Sequence, residues 1–189
     1  MWHQSRQGGG ISGVTDEVSD ERLRAVRARR LKEREITAKW HAERVLLTER
    51  SAECEDQLNQ ALAMHYGRDL DHIFSLLQHV IWRVPTDERV KLLRTALERQ
   101  ELTDDVPFLV PALGAVFRTR NVFAHGIAAY MTETDITFYS TWRGKQSEET
   151  LGIDRVEWAV KASAACLIDF MHIAGRIGDK MTWARLHGL

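Results

Sequence analysis

Leu113-Gly-Ala-Val-Phe-Arg118-Thr-Arg120-Asn121-Val-Phe-Ala-His125-Gly126-Ile-Ala-Ala-Tyr-Met131 is where the chain changes period. Up to Ala124 the segment reads as a helix, with Leu113, Val116 and Phe117 at steps of three and one, on one face. Gly126 stands where a left-handed helix cap is wanted. Residues 127–131 and 136–142 then alternate in the manner of strands, separated by Thr132-Glu-Thr-Asp135, which predicts a small hairpin. One helix handing over to a hairpin, in a chain otherwise patterned for helices, sets the fold class. We expect a mostly α protein: a helical bundle with a small β-hairpin after this helix, preceded by a long N-terminal helix.

Working backwards, Asp104 or Asp105 is expected to open the same helix, with Pro107 in its first turn and Pro111 kinking or restarting it. Thr86 is expected to cap the preceding helix, with Asp87 and Glu88 in its first turn and Val90, Leu93 and Leu97 buried. Residues 70–84 predict another helix, with Ile73, Leu76, Leu77, Val80 and Ile81 inward. Cys54, Leu58, Ala61, Leu62 and His65 recur at helical steps over 51–66, and Gly67 ends that run. No breaker lies between Ser19 and Ser51, so a long helix is expected there. Arg22, Arg24, Arg27, Arg29, Arg30 and Lys32 surround its axis rather than forming one stripe, which fits a solvated face or a phosphate-facing or partner-facing arm. Downstream, Asp154 and Glu157 resemble a capping box opening a final helix, with Val156, Ala159, Cys166, Leu167, Phe170 and Ile173 inward. The organisation expected is a disordered tail over 1–14, a basic N-terminal helix over 15–50 and a helical domain over 51–189.

Composition fits this picture. The 189 residues are 44% hydrophobic and 28% charged, enough apolar material for a core. The net charge of -1 gives no general attraction to nucleic acid, so any such binding must come from a local patch. Cys54 and Cys166 belong to no CxxC or Cys/His cluster and read as buried free thiols. His65, His72 and His79 recur every seven residues without carboxylates at ligand spacing, so no metal and no other cofactor is expected. Neither a secretory leader nor a bilayer-spanning run is legible, and the expected location is the cytoplasm, with no membrane partner.

Phosphate loops, zinc-protease motifs and nucleophile elbows are missing from the sequence. The dense cluster is at the end of the helix quoted above. On an ideal helix Arg118 and His125 lie about 20° out of register and share a face, and Asn121 lies on it one turn before His125. Arg120 is turned away from His125 by about 140°. A compact site that includes it needs local unwinding or a facing second copy.

Arg120-Asn121-Val-Phe-Ala-His125 resembles the R-x(4–6)-H motif of the HEPN superfamily, in the version where a polar residue follows the arginine and Ala-His-Gly closes the helix. The similarity extends loosely over residues 50–175, and its specific part is the short stretch ending at Gly126. It implies a HEPN-like helical bundle that pairs as a homodimer across a shared cleft. It also implies a metal-independent endoribonuclease of a toxin–antitoxin or phage-defence system, with an antitoxin or other partner protein. Arg120 and His125 inherit the catalytic roles, and Asn121 that of the polar residue that positions them. Members paired with a nucleotidyltransferase antitoxin carry a tyrosine two residues after the histidine; Ile127 stands there, which argues against that subgroup.

The chemistry suits these side chains. RNA carries its own nucleophile, the 2′-hydroxyl, so the protein need only move protons and stabilise charge on phosphate. Histidine titrates near neutral pH and arginine forks onto phosphate oxygens. Arg118, further back on the same face, is expected to bind RNA, and Trp142 beside Arg143 could stack a base. Plainer roles stay open beside this one. Arg120 and His125 could satisfy the last helix carbonyls and the helix dipole. A non-catalytic dimer of the same fold could also bind RNA or a protein through the same cleft, or the basic N-terminal helix could do the binding.

Overall fold

The computed structural model describes residues 12–142 and 145–186, and the chain divides into two units at Lys39/Trp40. In the first unit the described residues belong to α1 (Ser12–Tyr66), which runs on through Ser51 as the helical steps over 51–66 imply. Leu23, Val26 and Leu31 are all exposed there, as the weak amphipathicity of this stretch implies. Of the tail expected over 1–14, residues 1–11 lie outside the described residues, and 12–14 open α1.

In the second unit α1 becomes amphipathic. Trp40, Leu47, Ser51, Cys54, Leu58 and Leu62 are buried at steps of seven, four and three, one stripe of a helix. The further elements are α2 (Leu70–Ser75), α3 (Thr86–Arg99), α4 (Leu109–His125), the strands β1 (Ile127–Met131), β2 (Asp135–Trp142) and β3 (Lys145–Gly152), and α5 (Ile153–Leu186). Cys54, Leu58 and Leu62 of α1, Leu93 and Leu97 of α3, Leu113 and Phe117 of α4, and Cys166, Phe170 and Ile173 of α5 form one core. Burial pushes both thiols up to about 12, so they behave as small apolar side chains. The architecture is mostly helical with a small antiparallel sheet, and no helix among the described residues is long and apolar enough to cross a membrane.

Several local expectations are corrected. The helix expected from Asp104 or Asp105 starts at Leu109, so Pro111 sits in its first turn, where a missing N–H costs nothing, and no kink is needed. Thr86 does not cap α3; Pro85 holds that position, and the Thr86 hydroxyl is drawn instead to Glu55 and Arg89. Residues 70–84 are not one α-helix: α2 passes into a π-turn over Leu76–Val80 and a 3-10 turn over Ile81–Arg83, which leaves Val80 48% exposed. The change of helical pitch rotates Val80 out of the inward phase. The hairpin is a three-stranded meander, β1-β2-β3. The third strand is hidden in the sequence because Lys-Gln-Ser-Glu-Glu-Thr-Leu-Gly carries almost no apolar alternation; over 146–152 only Leu151 is buried, opposite Ile136.

Gly126 is not in a left-handed conformation: its φ of -84° and ψ of 145° are extended. Its lack of a side chain matters for closeness. A Cβ there would stand 2.6 Å from the Val122 carbonyl oxygen and 2.8 Å from Phe138, so glycine lets the end of α4 lie directly on β2. Phe123 and Phe138 then meet edge to face with centroids 5.0 Å apart, beside Trp40, whose indole Nε1 donates to the Thr132 carbonyl at 2.8 Å.

Candidate functional site

α4 presents two polar faces besides the one it buries. Its inner face, Leu109, Leu113, Val116, Phe117 and Phe123, is held in the core. Arg118, Asn121 and His125 fall on one stripe at steps of three and four and are exposed. They line a hollow of about 620 Å³ closed on the other side by Phe138, Glu149 and Arg155. That volume lies within the range of small-molecule sites, roughly 300–1,000 Å³. Arg155 is partly tied to Glu149 at 3.3 Å across exposed surface. The rings and heads of Arg118, Asn121 and His125 make no hydrogen bond or ion pair to other described residues. His125 therefore does not cap the helix carbonyls. It stands open to the hollow.

Arg120 goes elsewhere. It is not among the residues lining the hollow, and its guanidinium donates to Glu55 Oε2 of α1 at 2.9 Å, with both side chains about four-fifths buried (22% and 21% exposed). It also lies 6.0 Å from the centroid of Phe117. The helical phase predicts this divergence, and within one chain the structure brings Arg118, Asn121 and His125 together but not Arg120 with His125. Trp142 closes β2, but its side chain, like all of Arg143, lies outside the described residues.

Behind Arg120 lies a polar network that sequence reasoning missed. Glu55 accepts from Arg120 with one oxygen and from Arg89 of α3 with the other, at 2.5 Å. Arg89, 4% exposed, donates also to Asn59 Oδ1 of α1, at 2.5 Å, and to Thr86 Oγ1, at 2.9 Å. One carboxylate thus joins three helices, and its two arginines neutralise it where solvent screening is weak. Asn59 Nδ2 and Arg89 Nε stay unpartnered, so the network is incompletely satisfied. The signal was present in the phase. Asn59 falls between Leu58 and Leu62, and Arg89 precedes Leu93 and Leu97 by four and eight residues, both at inward positions where a polar residue demands a partner.

The three histidines spaced by seven do not assemble. His65 is half-buried against Tyr66 and Gln100 Nε2, and burial, then Arg99, lowers its pKa below the ordinary histidine value. His72 Nδ1 accepts from the Arg68 backbone N–H in the turn after Gly67. Among the described residues no three His, Cys, Asp or Glu side chains are grouped so as to hold a metal ion.

In chemical terms the hollow offers an exposed imidazole, a neutral amide one turn away, two guanidinium groups and the Glu149 carboxylate that pairs with one of them. It can hold a phosphodiester and move a proton at one of its oxygens. Compared with protein-family models, curated proteins and solved structures, the chain matches none of them.

Proposed function

We propose that this protein is an endoribonuclease that cleaves RNA by 2′-hydroxyl attack, without a metal ion, through the hollow at the end of α4. The observation that carries the proposal is the convergence of Arg118, Asn121 and His125 on one hollow with Arg155 at its rim. His125 accepts the 2′-hydroxyl proton; the 2′-oxygen bonds to phosphorus as the bond to the 5′-oxygen breaks, and that oxygen leaves with a proton. The products are a 2′,3′-cyclic phosphate and a 5′-hydroxyl end. Arg118 neutralises the charge that builds on the non-bridging oxygens, and Asn121 orients the histidine or the phosphate.

The HEPN resemblance gives the motif arginine, Arg120, that charge-stabilising role. The ion pair with Glu55 favours a different division of labour, in which Arg120 fixes α4 and Arg118 meets the phosphate. A homodimer paired along residues 111–125 fits the same proposal: a second His125 facing the first supplies the acid that protonates the leaving oxygen. The resemblance also sets the biological frame, a toxin–antitoxin or phage-defence nuclease.

The test is cleavage of a mixed RNA pool in excess EDTA, with end-group analysis and with light scattering on the same samples. Cyclic phosphate ends are expected, with His125→Ala and Arg118→Ala each lowering the rate by at least about 100-fold at unchanged circular dichroism. Arg120→Ala should lower the melting temperature, and cleavage only as far as folded protein is lost. A folded Arg120→Ala protein with a 100-fold defect would return the catalytic role to Arg120. A wild type that binds RNA without cutting it would establish instead a non-catalytic binding module, and loss of cleavage in EDTA with recovery in magnesium would refute the metal-free chemistry.

A further inference from the structure

A second hollow, of about 680 Å³, adjoins the first and shares His125 and Ser140 with it. Its walls include Ile127, Tyr139, Gln146 and Glu148. These residues are not scattered. Ile127 of β1 stands directly opposite Tyr139 of β2, and Tyr139 directly opposite Glu148 of β3. Side chains in register across antiparallel strands share a face with Cβ atoms about 4.5–5.5 Å apart, so the three form one row: aliphatic, aromatic, carboxylate. Tyr139 is 51% exposed and Ile127 75%, an unusual outlay of apolar surface beside a polar cleft. The neighbouring acid shows what is distinctive about Glu148: Glu149 pairs with Arg155, whereas Glu148 forms no ion pair with a described residue.

We propose that this second hollow is a nucleobase subsite and that it selects guanine. The inference rests on the nuclease proposal for its place in the reaction: His125 and Ser140 border both hollows, so a nucleoside attached to a phosphate seated at His125 has a way into the second. The phenol ring and Ile127 offer an apolar flank on which any base can lie. The carboxylate supplies the choice. Glu148 is acceptor-only when ionised and can take two parallel N–H donors side by side. Guanine presents such a pair, N1–H and the 2-amino group, on one edge. Adenine and cytosine set a ring-nitrogen acceptor beside their amino group, which the carboxylate repels. Uracil places its single N–H between two carbonyl oxygens. Four bases can stack; one fits the carboxylate with both of its oxygens.

The decisive experiment measures binding and cleavage separately. Titration of the wild type with the 3′-monophosphates of guanosine, adenosine, cytidine and uridine should show guanosine at least about tenfold tighter than the others, the scale of a good bidentate base contact. Glu148→Gln should reduce that preference to about twofold or less, since an amide replaces one acceptor with a donor. Tyr139→Ala should weaken all four nucleotides about equally, and Tyr139→Phe should restore them. Mapped cleavage sites should then carry guanosine at the cyclic phosphate end. Guanine selectivity in the binding arm, abolished by Glu148→Gln, supports the subsite even in a protein that cuts no RNA. Cleavage with no base preference, unchanged by Glu148→Gln, overturns the subsite and leaves the nuclease proposal standing. Equal affinity for all four nucleotides likewise overturns it.

Discussion

Replacing Arg89 by methionine tests whether the buried network, rather than apolar packing alone, holds α1, α3 and α4 in register. The Arg89 side chain is 5% exposed and donates to Glu55, Asn59 and Thr86. A hydrogen bond to a charged group contributes about 1.5–3 kcal/mol, and removing one partner of a buried ion pair costs about 3–5 kcal/mol. Two features lower the figure here. Glu55 is 21% exposed and keeps Arg120, and Arg89→Met removes the unpartnered Nε while preserving the apolar stem. The expected loss is therefore about 2–4 kcal/mol. In a chain of this size each kcal/mol moves the melting temperature by about 2–4 °C, so a fall of about 5–15 °C should appear by calorimetry. Arg29→Met is the control: its pair with Glu33 is 2.9 Å long, but the arginine is 81% exposed, so a change within about 2 °C is expected. A double-mutant cycle of Arg89→Met with Glu55→Gln should give a coupling of at least about 1 kcal/mol. A coupling near zero, or an Arg89→Met shift no larger than the control's, refutes the network's role.

Three further outcomes follow from local geometry. Gly126→Ala should destabilise by about 1–3 kcal/mol, because the new Cβ meets the Val122 carbonyl and Phe138; a variant as stable as the wild type in denaturant titration would disprove the close approach. His65 has a lowered pKa in the folded state, so its neutral form is favoured there; this stability is present above the ordinary value of 6.5 and is lost as pH falls through the window below it. The melting temperature should drop accordingly on acidification from pH 7, and less steeply in His65→Gln; parallel curves would remove His65 as a cause. Glu101, with φ of 56°, occupies the left-handed position after α3, where Leu102 N–H bonds back to the Leu97 carbonyl, so Glu101→Gly should raise stability by about 1 kcal/mol in denaturant titration.

Periodicity makes much of this protein legible before folding. The inward stripes Cys54-Leu58-Leu62, Leu93-Leu97 and Cys166-Phe170-Ile173 are local patterns, and the core is built from them. The shared face of Arg118, Asn121 and His125, and the divergence of Arg120, follow from helix geometry alone, since 3.6 residues per turn fixes both. What cannot be read this way lies in partners distant along the chain. Glu55 meets Arg89 and Arg120 across separations of 34 and 65 residues, and no local pattern tells an inward carboxylate which arginine it will find. β3 is invisible locally because its pairing with β2, not its own alternation, makes it a strand. Gly126 is extended rather than left-handed, because the reason for glycine there is the approach of Phe138, a contact made only when β2 folds back onto α4. Sequence thus determined which residues share a face, through the fixed pitch of helix and strand. Tertiary structure decided which faces meet, because that depends on the packing of segments that are neighbours only in space.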